Sequence, residues 1–320
     1  MDSVLVRRSE LICPGSSPKM MAKAARSDAD QVIFDLEDGC AVTQKVAARA
    51  SVIEALRRLD FGGKLRAYRV NGLTTPYCYR DVIEVVEAAG GSIDVMILPK
   101  IDDVADVLFF DRLLTQIETN VGLEVGRIWL EALIESAKGV LHAEAIATST
   151  PRLSGLIFGL VDFAGDIGAQ EVGAEQFFYY NYAKAKVITA ARAAGLTVVD
   201  GVTLAVRDLE ACRRDSEMAA RMGFDGKWAI HPTQVPVINP AFTSTAQTYP
   251  SSPVARTEPA TNATPFTSLP AGENHCLLPV LKSRQYTPSR SSGDTSPGST
   301  SANIPWWTGS DSPTPSSSSR

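Results

Sequence analysis

Between residues 9 and 230 the chain keeps repeating one pattern: a short apolar run, a polar break, then a stretch with helical spacing. The apolar runs predict strands over residues 10–13, 31–36, 64–70, 94–98, 127–134, 153–161, 197–199 and 227–230. Helical spacing begins at Lys19. It recurs along Val46, Ala50, Ile53, Leu56 and Leu59, over 79–89 before Gly90-Gly91, over 104–117, around Val140, Ala143 and Ala147, and over 208–222. The second strand, QVIFDL, is apolar almost throughout, as a strand covered on both faces would be. About eight strand–helix units in roughly 240 residues predict a TIM-type (β/α)8 barrel. Its rival, an open doubly wound sheet, wants a glycine-rich fingerprint after the first strand, and PGSSP at Pro14–Pro18 is not GxGxxG.

Residues 130–168 carry the chemistry of the pattern. One strand stops at Glu135, a helix follows, Pro151 closes the connection, and the next strand stops at Asp162. A strand–helix–strand of this length makes the strands parallel and adjacent, so both acids leave the sheet at one end. Neighbouring strands lie about 4.8 Å apart, which lets the two carboxylates share one hard cation. The plainer reading is that each acid caps a helix or sits in a solvated loop. Reading the other strand ends in order adds Glu37 and Asp38, Arg69, Lys100, Asp200 and His231 to the same rim. All-oxygen ligation by Glu135 and Asp162 predicts Mg²⁺, whereas His142 lies mid-helix and His231 stands alone, which argues against zinc. Arg69 would hold a substrate carboxylate through its planar fork, or form a structural ion pair with Glu37 or Asp38. Lys100 admits a Schiff-base reading, and His231 a purely structural one. A divalent ion flanked by an arginine suits a 2-oxo acid and reversible carbon–carbon cleavage.

The formal charge of −5 and the absence of a basic cluster that could neutralise phosphates argue against a general nucleic-acid binder. Five cysteines, Cys13, Cys40, Cys78, Cys212 and Cys276, include no CxxC pair and fit buried thiols in a reducing compartment. No run is long enough to span a bilayer, and MDSVLVRRSE lacks the apolar core of a signal peptide. A cytoplasmic location is therefore the expectation, with an organellar matrix as the variant. After Pro240 the composition changes. About half of residues 241–320 are Ser, Thr or Pro, which predicts a disordered tail appended to a barrel domain of residues 1–240. Short apolar islands at 276–281 and 304–307 interrupt it.

Several ordered segments carry a family resemblance: RSELICPGSSPKMMAKA, DQVIFDLEDGCAVTQKVAAR, RVNGLTTPYCYRDV, ILPKIDDVADV, ALIESAKGVLHAEAIA, LIFGLVDFAGDIGA and GKWAIHPTQV. Together they resemble the HpcH/HpaI aldolase and citrate lyase beta-subunit family, nearest to its citrate lyase beta-like and malyl-CoA lyase branch, across about residues 8–240. The resemblance implies a Mg²⁺-dependent lyase that splits malyl-, citramalyl- or citryl-type thioesters of CoA or acyl carrier protein into an acyl thioester and a 2-oxo acid. It implies Glu135 and Asp162 as metal ligands, Arg69 as the substrate-carboxylate arginine, and Glu37 and Asp38 as the pair that orders Arg69 and metal-bound water. Pro14, Gly15, Ser16 and His231 would line the mouth where the thioester arrives, and assembly would be as a homotrimer or hexamer. Alternatives within the superfamily are an acyl-CoA thioesterase and a pyruvate-type aldolase, though FDLEDG offers no histidine base for the latter. From another class comes a silent binder that keeps the metal and the 2-oxo acid. The malyl-CoA lyase branch also carries a C-terminal lid with an SLDGKMID-like motif, whose aspartate reaches a neighbouring active site. Nothing after Pro240 resembles it, and Asp294 and Asp311 are poor substitutes.

Overall fold

The predicted alternation of apolar runs and helices closes into a ring. In the computed structural model, which describes residues 6–170 and 179–243, eight parallel strands pair in chain order and β1 closes on β8. They are β1 (Ser9–Pro14), β2 (Gln31–Asp35), β3 (Leu65–Arg69), β4 (Val95–Leu98), β5 (Trp129–Ile134), β6 (Leu153–Phe158), β7 (Thr197–Asp200) and β8 (Gly226–Ala229). The helices packed around them are α1 (Pro18–Ala25), α2 (Lys45–Arg58), α3 (Cys78–Ala89), α4 (Val104–Asn120), α5 (Ala137–Ala147), α6 (Leu160–Asp166), α7 (Asn181–Ala193), α8 (Leu209–Met222) and α9 (Val235–Thr243). The barrel reading of the sequence holds, and each strand lies within a few residues of its expected place.

Three expectations are revised. β6 ends at Phe158 rather than at residue 161, because Gly159 breaks the strand and α6 starts at once; Asp162 therefore sits in the first turn of a helix. Helix α7, built on NYAKAKVITAARA, was not anticipated from the sequence. The expected domain boundary at Pro240 falls inside α9, which continues to Thr243 and buries Val235, Ile238 and Phe242. Pro240 forfeits one intrahelical hydrogen bond, and the apolar burial on either side of it outweighs that cost. The rest of the expected tail, with its apolar islands, Cys276, Asp294 and Asp311, lies outside the described residues. Cys13, Cys40, Cys78 and Cys212 are buried free thiols, as expected. Among the described residues no helix is long and apolar enough to cross a membrane.

Strand alternation sorts the side chains into two layers. Leu11, Val32, Phe34, Tyr68, Met96, Leu98, Leu130 and Leu156 point outward into the core shared with the helices. Ile12, Ile33, Ala67, Ile97, Leu133, Ile157, Val199 and Trp228 fill the barrel interior. The floor of that interior is polar instead of apolar. Arg7 pairs with Glu131, Gln31 Nε2 donates to Glu131 Oε2 at 2.9 Å, and Trp228 Nε1 donates to Glu10 Oε2 at 2.8 Å. Burial, with Glu131 nearby, pushes the Glu10 carboxyl well above the usual range.

Helix starts follow local chemistry. Asp103 caps α4: its Oδ1 accepts the Ala105 N–H at 2.8 Å, and Asp106 Oδ2 returns a bond from the Asp103 N–H at 3.1 Å. Replacing Asp103 with alanine is expected to cost about 1 kcal/mol. In a barrel of this size that lowers the melting temperature by roughly 2–4 °C without touching activity, as a thermal melt would show.

Candidate active site

The same alternation that fills the interior places the site. Asp35, Arg69 and Glu135 stand two residues beyond Ile33, Ala67 and Leu133, so all three point into the C-terminal mouth of the barrel. In the β2–β3 register Asp35 is the direct neighbour of Arg69. Its carboxylate accepts Arg69 Nε at 2.7 Å and Nη2 at 2.6 Å, a two-pronged pair. It also accepts the N–H groups of Glu37 at 2.9 Å and Gly39 at 2.7 Å, which turns the Glu37-Asp38-Gly39 loop. A Cβ on Gly39 would come within 2.6 Å of that carboxylate. Burial opposes ionisation of Asp35, yet Arg69 and the two N–H groups outweigh it and hold the acid below its ordinary value. Asp35 lies inside the apolar run QVIFDL and is not among the strand-end acids that the sequence offers. A lone acid, in register with the inward Ile33, was the available signal.

Arg69 is itself buried. Its Nη1 meets Glu37 Oε2 at 2.7 Å and its guanidinium lies 5.6 Å from the centre of the Trp228 ring. The ion pair with Glu37 considered in the sequence is therefore present, joined by the stronger one to Asp35. Two of the guanidinium's five N–H groups donate to Asp35, and Nη1 faces Glu37 across an ion pair. Behind the loop, Lys45 Nζ donates to the carbonyls of Leu36 at 2.9 Å and Glu37 at 2.8 Å and to Asn71 Oδ1 at 2.6 Å, so the segment bearing Glu37 is held from both sides.

Glu135 closes the site from β5. Its Oε1 accepts the Lys100 N–H at 2.8 Å. A Cβ at Gly159, the residue that follows β6, would come within 2.6 Å of Oε2, so only glycine leaves room for the carboxylate. Burial, then the charges of Glu37 and Asp162, push the Glu135 carboxyl well above the usual range, with Arg69 and the Lys100 N–H working the other way. Asp162 is exposed in the first turn of α6 and is felt electrostatically by both Glu135 and Lys100, which puts it on the same rim. Lys100 Nζ lies 2.8 Å from Glu37 Oε1 and 3.9 Å from Asp38. Burial lowers the ammonium's pKa, but Glu37, Asp38 and Asp162 outweigh that and leave it above the ordinary lysine range. A Schiff-base lysine must lose its proton to attack a carbonyl, so this environment opposes that reading.

The remaining expected residues divide. Pro14, Gly15 and Ser16 lie at the end of β1 on this rim, where the Gly15 N–H donates to the Asp35 carbonyl at 2.8 Å. His231 follows β8, and its imidazole caps a short 3₁₀ turn through the Thr233 N–H at 3.3 Å. Asp200 does not join the site. Val199 faces inward, so Asp200 faces outward, buried between Lys227 Nζ at 2.8 Å and Lys184 Nζ at 2.8 Å from α7. It serves the barrel wall.

The residues fit a hard divalent cation. At the rim the acids Asp35, Glu37, Asp38, Glu135 and Asp162 outnumber Arg69 and Lys100, and Glu135 rests in a cradle that a Cβ at Gly159 would fill. Among the described residues no group of three or more potential metal ligands gathers. Mg²⁺ is the ion that makes do with one or two carboxylates and leaves its other positions to water and substrate.

A closed barrel with strand-end acids and a buried guanidinium at its C-terminal mouth defines an enzyme of the (β/α)8 class whose chemistry lies at that rim. The chain belongs to the HpcH/HpaI aldolase/citrate lyase family, whose profile matches residues 8–232, and is by class a carbon–carbon lyase. It is 40% identical over 251 residues to the L-malyl-CoA/beta-methylmalyl-CoA lyase of Cereibacter sphaeroides, covering 74% of this chain and 79% of that one. It is 36% identical over 235 residues to a (3S)-malyl-CoA thioesterase of the same organism, covering 73% and 76%. Among solved structures it resembles the citrate lyase beta subunit of Mycobacterium tuberculosis complexed with oxaloacetate and magnesium. The TM-score is 0.62 and the identity 29%, covering 74% of this chain and 97% of that one.

Proposed function

We propose that the chain is a Mg²⁺-dependent lyase that cleaves a short 3-hydroxyacyl-CoA of the malyl type into an acyl-CoA and a 2-oxo acid such as glyoxylate. The observation that carries this reading is the surplus of carboxylates at the rim around a buried Glu135, beside a guanidinium that Asp35 holds in place. The relatives named for malyl-CoA cleavage and the related structure that holds oxaloacetate and magnesium support the substrate class. Glu135 and Asp162 would hold the ion, which when bound supplies Lewis-acid polarisation of the 2-oxo acid's carbonyl. Arg69 takes the carboxylate of that acid, and Asp35 keeps the guanidinium from turning to meet it, so the positioning costs little at the moment of reaction. Glu37, held by Arg69 and Lys100, presents an oriented carboxylate to the same space. Pro14, Gly15, Ser16 and His231 flank the side from which the thioester enters.

The thioesterase reading has its own support in the malyl-CoA thioesterase relative, and product analysis separates the two. Malyl-CoA is incubated with the full chain and Mg²⁺, and glyoxylate and free CoA thiol are measured together. Glyoxylate with acetyl-CoA, lost on adding a chelator, is the expected result. Free thiol with malate supports the thioesterase, and Mg²⁺-dependent glyoxylate binding in calorimetry without turnover supports a silent binder. Either would overturn the lyase.

A further inference from the structure

Lys100 stands apart by its backbone. Among the described residues it is the only non-glycine with a positive φ, 55°. In that left-handed region the Cβ crowds the neighbouring carbonyl, so glycine is the residue that adopts it without strain. Strain of this kind persists where the surroundings over-determine it. The surroundings do so here. The next residue donates its N–H to the Leu133 carbonyl at 3.3 Å, and the Ile101 carbonyl is packed so closely on Gly139 that a Cβ there would lie 2.6 Å away. The turn delivers two things to the rim. The Lys100 N–H reaches Glu135 Oε1 at 2.8 Å, and the ammonium reaches Glu37 Oε1 at 2.8 Å, on the oxygen that Arg69 does not take. Glycine at this position would deliver the first without strain, and it could not deliver the second.

We propose that Lys100 is a positioning residue for the cleavage reaction, its left-handed main chain orienting Glu135 while its ammonium pins Glu37 against Arg69. This rests on the lyase reading above. It assigns the side chain a role that neither backbone geometry nor metal ligation requires, and it separates the two jobs of one residue by experiment.

The test uses K100G, K100M and K100R in the full chain, with three readouts: melting temperature, affinity for Mg²⁺ alone by calorimetry, and kcat and KM for malyl-CoA. K100G keeps the N–H and relieves the strain, so its melting temperature stays near that of the wild type and no lower than that of K100M. Removing an ammonium from beside the acids leaves Mg²⁺ binding unweakened or tightens it by about two- to tenfold. With Glu37 unpinned, kcat falls about 10²-fold in K100G and K100M while KM changes little. K100R restores the cation and recovers a large part of kcat. Wild-type kcat in K100G overturns the proposal, as does a joint loss of stability and Mg²⁺ affinity there, which would make the side chain merely structural. A wild-type chain that binds no Mg²⁺ or releases no glyoxylate removes the lyase reading itself, and the role of Lys100 with it.

Discussion

The Asp35→Asn variant is expected to melt about 10 °C below the wild type at pH 7 and to lose about 10³-fold in kcat/KM. Asp35 is buried, and its two oxygens serve Arg69 on one side and the N–H groups of Glu37 and Gly39 on the other. Each oxygen accepts one N–H of Arg69 and one backbone N–H. An asparagine NH₂ therefore meets either Arg69 Nε and the Glu37 N–H or Arg69 Nη2 and the Gly39 N–H, donor against donor, and leaves a buried guanidinium with Glu37 as its remaining counter-charge. Breaking a buried pair from one side costs about 3–5 kcal/mol, and Glu37 places this case at the lower end. The pH dependence has a defined sign. The folded-state pKa of Asp35 lies below its unfolded value, so its contribution is complete above the ordinary aspartate range and lost as pH falls through the folded value. The gap between variant and wild type therefore closes in acid. The decisive measurement is a double-mutant cycle with Arg69→Met. D35N/R69M should be far less destabilised than the sum of the singles, and additivity would show that the pair does not hold the site.

Glu135→Gln is expected to do the opposite to stability while abolishing function. Glutamine keeps the shape and can still accept the Lys100 N–H, but it removes a buried charge that Glu37 and Asp162 oppose. The metal-free variant should therefore melt several degrees above the metal-free wild type at pH 7.5. Here the folded-state pKa is raised, so the wild type keeps its full stability below the ordinary glutamate value of 4.5 and loses it as pH rises through the folded value. Glutamine does not titrate, so the difference in melting temperature opens with rising pH. Added Mg²⁺ should raise the wild-type melting temperature and leave the variant's unchanged, since only a carboxylate offers the ion a charge there. Turnover should fall by about 10³-fold or more. A variant that melts below the wild type at pH 7.5, or responds equally to Mg²⁺, would refute Glu135 as a metal ligand.

Much of this is legible in the amino-acid sequence itself. The alternation of apolar runs with helical spacing was enough for the barrel, because parallel strands covered on both faces are mostly apolar and must be joined by crossovers. The rim positions of Glu135, Arg69 and Glu37 were legible too, since each stands at the end of an apolar run whose C-terminal end opens into the barrel mouth. Asp35 was not, because a single acid inside QVIFD reads as part of the strand until the register sets it beside Arg69. Asp200 was misplaced for the converse reason: at a strand end, one residue of register decides whether a side chain enters the mouth or turns out toward Lys184 and Lys227.

Local sequence thus determined the number and kind of elements, the family, and which rim would carry charge. Those properties depend on the hydrophobic period and on neighbours along the chain. Which acid holds which cation was decided only on closure of the ring, when residues 34 apart in Asp35 and Arg69, or 63 apart in Lys100 and Glu37, came within hydrogen-bond reach. Charge pairing falls off steeply with distance in space and is blind to distance in sequence, so the partners could not be read until the barrel brought them together.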